Sequence, residues 1–205
     1  MQSGSGADQG DLNLVKRLPA EKPAKGERPT AANAALEKEF QKLLAADDAA
    51  HAQIEKLIQE NDAFIEKGAG SSAGALRLKI EQHRVKVREA YKEFLLRHPQ
   101  HVRALVAYAS FLDDEGDDFE ARDQLEKALA LDPRDPAIYN NLANFHGHRG
   151  PVRKAFDYYA KAIELAPDEP VYFQNFGTTV FLFRKDAMEH LTLGEQQVFD
   201  RAMEL

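Results

Sequence analysis

Between residues 31 and 67 the apolar positions fall on one seam: Leu36, Phe40, Leu43, Asp47, Ala50, Ile54, Leu57, Asn61 and Phe64. The steps alternate between four and three, the spacing of a coiled-coil stripe held for about four heptads. Ala, Leu, Glu, Lys and Gln fill the segment and neither Gly nor Pro interrupts it, so one long helix is expected. Asp47 and Asn61 place polar groups in the seam. The simpler expectation sets both at a wet edge; the alternative is a buried group that fixes register or partner number. Gly68, Gly70, Ser71, Ser72 and Gly74 then read as a helix–helix connection. A second helix is expected from about 75 to 97, with Ile80, Val87, Tyr91, Phe94 and Leu95 on one face.

The charges of these two helices are opposite. Residues 31–67 carry eight acids and four bases; residues 76–98 carry seven bases and three acids. An antiparallel hairpin would bring the two fields together, although each exposed pair contributes only ~0.2–1 kcal/mol. Residues 1–30 differ from both helices. They are rich in Ser, Gly, Ala, Pro, Lys and Glu, and only Leu12, Leu14, Val15 and Leu18 could be buried. Such a composition cannot offset the entropy of ordering, so a disordered tail is expected, with a docking peptide around residues 12–18 as the alternative.

The remainder of the chain repeats itself every 34 residues. Pro99, Pro133 and Pro167 are spaced by 34, as are Gly116 and Gly150, Ala121 and Ala155, Ala128 and Ala162, and Leu131 and Leu165. The small residue Ala109 recurs as Ala143 and Gly177, and Leu105 recurs as the bulky Tyr139 and Phe173. A 34-residue period with these residue types resembles the tetratricopeptide repeat, a helix–turn–helix unit. The middle unit resembles it almost throughout and departs at His146, where an aromatic Tyr is usual. The resemblance covers residues 99–205 and implies a right-handed α-solenoid of about three units. The small residues would let paired helices approach closely. Asp135 and Pro136 supply an N-cap and a first-turn proline.

The third unit breaks step. A 34-residue step from Ala155 falls on Glu189, and apolar spacing resumes only at Phe199, Ala202 and Leu205. Thr192 with Glu195 three residues later matches a capping box, so a long turn over 184–191 and a helix starting at Thr192 are expected. No polar capping helix comes after it. Either the chain is a fragment of a longer array, or its last face meets another chain.

Composition narrows the functional classes. In 205 residues there are 27 bases and 34 acids, a net charge of −7, which argues against a nucleic-acid binder. Cysteine is absent, which removes thiol catalysis, disulfides and Cys-based metal sites but leaves the compartment open, cytoplasmic or exported with a signal removed. No apolar run is long enough to span a bilayer, and the N-terminus lacks a signal-peptide pattern. His146 and His148 form an H-x-H pair without a third ligand at matching spacing. The run from Asp113 to Asp118 lacks the spacing of an EF-hand loop and reads as a solvated turn. No phosphate loop and no G-x-S-x-G is present. Neither a cofactor, a metal nor an enzymatic activity is expected.

In the repeat family that this chain resembles, the first helices of successive units line a concave groove. Helical spacing then selects Asn140, Asn141, Asn144 and His148 in the middle unit, and Gln174, Asn175 and Thr178 in the next, as facing it. Val106, Ala107 and Ser110 are the counterparts in the first unit. Asn141 and Asn175 lie 34 apart on equivalent rungs, and a carboxamide can bond a peptide unit at both its C=O and its N–H. The expected architecture is all-α: a tail over 1–30, a helical hairpin over 31–98 and a repeat array over 99–205. The expected function is non-catalytic protein–protein interaction, with an extended peptide or partner helix in the groove. The alternative is a structural protein that self-associates as a homo-oligomer through the 31–67 helix and the uncapped end.

Overall fold

The computed structural model of the chain describes residues 31–66, 68, 70–192 and 200. The expected tail, and most of the capping box at 192–195, lie outside the described residues. Eight helices succeed one another among the described residues: α1 (Ala31–Glu66), α2 (Ala73–Arg97), α3 (Val102–Asp114), α4 (Asp118–Leu131), α5 (Pro136–Arg149), α6 (Val152–Leu165), α7 (Pro170–Leu182) and α8 (Arg184–His190). Each packs on its chain neighbour, and α5 also meets α7, so the helices stack as an α-solenoid.

Local chemistry sets the helix starts. The Ser72 hydroxyl accepts the Ala75 N–H at 3.3 Å, and the Asp135 carboxylate accepts the Ala137 N–H at 2.8 Å, each satisfying an otherwise orphaned donor. At the start of α3 the His101 Nδ1 takes the same role toward the Ala104 N–H at 3.1 Å. Pro136 and Pro170 open α5 and α7 at positions whose N–H would be unused. Gly116 turns the chain between α3 and α4 with φ of +80°, a left-handed conformation that side chains other than glycine's resist.

Small residues mark the close approaches. Ala109, Ala143 and Gly177 on the first helices, and Ala121 and Ala155 on the second, are all buried. The aromatic residues fill the space left between. Tyr91 stacks on Tyr108 at 5.2 Å, and Tyr159 stacks on Phe176 at 5.7 Å. Burying a side chain of this kind contributes about 1.5–3 kcal/mol.

The hairpin of α1 and α2 is continuous with this packing. Phe40, Leu43, Val87, Tyr91 and Phe94 share one core with Leu105, Leu112, Leu125 and Leu142. The buried residues of α2 keep the 34-residue register of the later helices: Val87 precedes Ala121 by 34, Tyr91 precedes Leu125, and Phe94 precedes Ala128. The hairpin is therefore packed as a longer version of a repeat unit. The sequence hides this because Val87 and Phe94 stand where the later units carry alanine.

Three expectations are corrected. Asp47 and Asn61 do not sit at a wet edge: they are 6% and 8% exposed. The Tyr91 hydroxyl donates to Asp47 Oδ2 at 2.7 Å, and the Ser71 N–H donates to Asn61 Oδ1 at 2.9 Å, so these polar groups tie α1 to α2 and to the loop between them. The acidic turn at 113–118 is not simply solvated. The Glu115 carboxylate accepts from Arg84 at 2.8 Å and Arg88 at 3.2 Å, while Arg88 also reaches Asp117 at 2.5 Å. Asp118 pairs with Arg149 at 2.6 Å. Finally, 184–191 is not a long turn. It forms α8, which packs on α6 and α7 through the fully buried Ala187. Ala187 falls only two residues short of the 34-residue step from Ala155, close enough to take that position once α7 ends at Leu182. Thr192, with φ of +55°, lies just beyond the Leu191 cap of this helix.

Candidate protein-binding face

Helices α5 and α7 are both first helices of their units and lie against each other. Their polar residues form a hydrogen-bonded set that crosses from one unit to the next. Asn175 Nδ2 donates to Asn140 Oδ1 at 3.0 Å, and Asn140 Nδ2 in turn donates to Asn141 Oδ1 at 3.4 Å. The Tyr159 hydroxyl donates to Asn144 Oδ1 at 2.6 Å. The Thr179 hydroxyl donates to the Asn175 carbonyl at 2.8 Å and lies 3.4 Å from the Tyr159 oxygen.

The seven residues selected from the sequence therefore differ in availability. Asn140, expected off the packing stripe, is only 4% exposed, because its amide is needed between α5 and α7. Asn144 is half-buried, and its carbonyl is occupied by Tyr159. Asn141, Asn175 and Thr178 are half-buried, while His148 and Gln174 are exposed. The Thr178 hydroxyl donates to the Gln174 carbonyl at 2.8 Å, which closes one turn of α7 on itself. Asn140, Asn141 and Asn175 are brought into one set; no hydrogen bond joins His148 to them. In the first unit the counterpart Val106 is buried and accepts the Ser110 hydroxyl on its carbonyl at 3.2 Å. Two members of the polar set, Tyr159 and Thr179, are not selected by the sequence pattern. In the fold the Tyr159 ring packs on Phe176, and only its hydroxyl signals a second role.

His146 is the one departure inside the middle unit. Its ring is 7% exposed, stacks on Tyr158 at 5.5 Å, and leaves Nδ1 buried without a hydrogen bond. Burial pushes its pKa below the usual imidazole value, helped by the charges of Lys154 and Arg122. The Tyr159 phenol is pushed up to about 12, also by burial. Among the described residues no group of three or more metal-ligating side chains converges, and no helix is long and apolar enough to cross a membrane. The α5–α7 face offers amides and hydroxyls, suited to hydrogen bonding with a peptide backbone.

The stacked helix pairs define a helical-repeat protein. The family profile described as tetratricopeptide repeat matches residues 136–169, which are α5, α6 and the turn after them, so this unit is a tetratricopeptide repeat. Solved structures with a similar fold include MamA, 18% identical, with 87% of this chain and 95% of that one covered and a TM-score of 0.50. A double mutant of RS-1 MamA is 20% identical, with 86% and 96% covered and a TM-score of 0.50. An O-GlcNAc transferase mutant from Thermobaculum terrenum is 21% identical over 64% of this chain, which spans only 22% of that enzyme, with a TM-score of 0.45. No curated protein sequence matches the chain.

Proposed function

We propose that the chain is a non-catalytic protein–protein interaction module that receives an extended peptide or a partner helix across the face of α5 and α7. The observation that carries this reading is the Asn175–Asn140–Asn141 set. It holds two carboxamides of adjacent first helices in a fixed relation, and gives Asn141 Nδ2 no partner among the described residues. Asn141 and Asn175 are the ligand-facing groups, with Gln174, His148 and Thr178 at the rim. Asn140 and Asn144 serve as supports that orient them. Pre-oriented amides lose little side-chain freedom on binding, so more of each hydrogen bond appears as affinity.

The test is capture of partners on the immobilised chain, repeated with Asn141→Ala. A partner retained equally by both proteins contradicts this reading. A second reading, self-association through the hairpin, draws on one observation. Ile58, Phe64, Ile65, Leu78 and Val85, all toward the α1–α2 connection, are at least 40% exposed. Exposed apolar groups at that density mark interaction surfaces. Light scattering over a range of concentrations separates the two readings.

A further inference from the structure

The solenoid obeys one packing rule. The second helix of each unit lies against the pair that comes next: α2 meets α3, α4 meets α5 and α6 meets α7. Helices α1 and α2 show the face that would receive such a helix. Leu43, Ala46, Ala49, Ala50 and Gln53 from α1, with His83, Lys86, Val87 and Ala90 from α2, line a groove of about 340 Å³. It lies on the opposite side of the pair from α3. Phe40 turns to His101 and Arg103, and Arg84 and Arg88 turn to the α3–α4 turn. By helical spacing, Ala46, Gln53, Lys86 and Ala90 point the other way.

We propose that residues 11–18 of this chain occupy that groove as a short amphipathic helix. Asp11, Leu14, Val15 and Leu18 recur at i, i+3, i+4 and i+7, one helix face, while Lys16 and Arg17 fall on the other. Leu12, Leu14, Val15 and Leu18 are the large apolar residues between positions 2 and 30, so no other part of this segment could fill an apolar groove. The tether suffices. The groove begins roughly 12 residues into α1, about 18 Å along the helix, and the roughly 12 residues from 19 to 30 span up to ~40 Å. They contain Pro19, Pro23 and Pro29, which favour an extended linker. Charge agrees as well. Lys86 on the groove wall carries no ion pair among the described residues, and Asp11 shares the apolar stripe that faces it. Tethering also raises the local concentration of the segment to roughly millimolar, enough for a short helix to compete with free ligands.

The absence of cysteine gives a direct test. Asn13→Cys, on the outer side of the segment, carries a nitroxide label in the full-length chain. The methyl signals of Ala46, Ala49, Ala50 and Ala90 should lose most of their intensity at low protein concentration. The same label in a Leu14→Asp, Val15→Asp background should restore them, with the circular dichroism spectrum unchanged. A mixture of isotope-labelled chains with separately nitroxide-labelled chains should leave the signals intact. Broadening that needs the mixture would assign the groove to a second copy. Full intensity in every sample would leave it to another partner. Either result overturns the proposal.

Discussion

The Tyr91 hydroxyl donates to Asp47 Oδ2 at 2.7 Å, and both residues lie inside the core between α1 and α2. The bond spans 44 residues of sequence and joins the long first helix to the register of the repeats. Removing a donor from a buried carboxylate costs about 1–3 kcal/mol. Tyr91→Phe keeps the ring and its stacking on Tyr108 while deleting that donor. The urea midpoint should fall by the equivalent of that loss with the slope of the transition unchanged, as expected when stability changes without a change in exposed area.

Arg88 is the second joint between the hairpin and the repeats. Its guanidinium reaches Glu115, Asp117 and Glu120, and Glu115 has only 7% of its side chain exposed. Hydrogen bonds to charged groups are worth about 1.5–3 kcal/mol, and a lysine cannot reproduce the fork. Arg88→Ala should destabilise the chain by roughly that amount, and Arg88→Lys should recover less than half of it. Thermal melts of the two variants check this. Full recovery by lysine would mean that charge alone matters at this site.

These two joints also show what the sequence could convey. The two long helices, the 34-residue step and the small residues at close approaches are all legible, because periodicity and residue size act locally. Which polar residues are buried is not. Asp47, Asn61 and Asn140 each look like surface positions until a partner from 10 to 44 residues away is in place. Helix α8 escapes a strict 34-residue step because its unit is two residues short. Of the proposed face, the sequence selects residues on α5 and α7, two helices that do meet, but it does not reveal that Asn140 is buried between them.

Stability should fall on mild acidification. His146 and His101 are both held neutral by burial, with pKa values lowered from the ordinary imidazole value. The folded state thus binds fewer protons than the unfolded state once the pH drops below ~6.5, and stability present above that pH is lost as the folded values are approached. Protonation of His101 would also end its acceptance of the Ala104 N–H. His146→Phe removes one titrating group and its unpartnered Nδ1, so the acid slope should shrink and the neutral-pH midpoint should rise. Denaturation curves between about pH 5 and pH 8 read both effects; an unchanged slope would contradict this account of His146.

At high pH stability falls again, for a different reason. The phenols of Tyr159 and Tyr172 are pushed up to about 12, chiefly by burial. Unfolded phenols ionise near 10, so from roughly pH 10 to 12 the unfolded state holds fewer protons and stability falls. The limiting slope is about 1.4 kcal/mol per pH unit for each group. Tyr159→Phe should remove its share, and the late-titrating part of the phenolate absorbance in the folded chain should shrink by one group, Tyr108 and Tyr158 being raised by burial as well.

The proposed binding face makes the sharpest prediction, because its residues differ in burial and in hydrogen-bond partners. Asn141 is half-buried and only accepts from Asn140 at 3.4 Å, so Asn141→Ala disturbs one weak contact. Its melting temperature should stay close to that of the parent chain. Asn175→Ala is different: it takes the donor from the buried Asn140 Oδ1 at 3.0 Å, and should cost about 1–3 kcal/mol in stability as well as affinity. Loss of one hydrogen bond to a peptide backbone is worth ~0.5–1.5 kcal/mol, or about threefold to tenfold in Kd. Asn141→Ala should therefore weaken a captured partner by that factor without affecting the fold. Lys154→Ala, exposed on α6, should change neither. The effect should persist when the side chains of the ligand are varied, because the bonds go to its backbone. Calorimetry with the captured partner measures all three variants. Equal affinity of Asn141→Ala and Lys154→Ala would move the binding site away from α5 and α7, toward the hairpin.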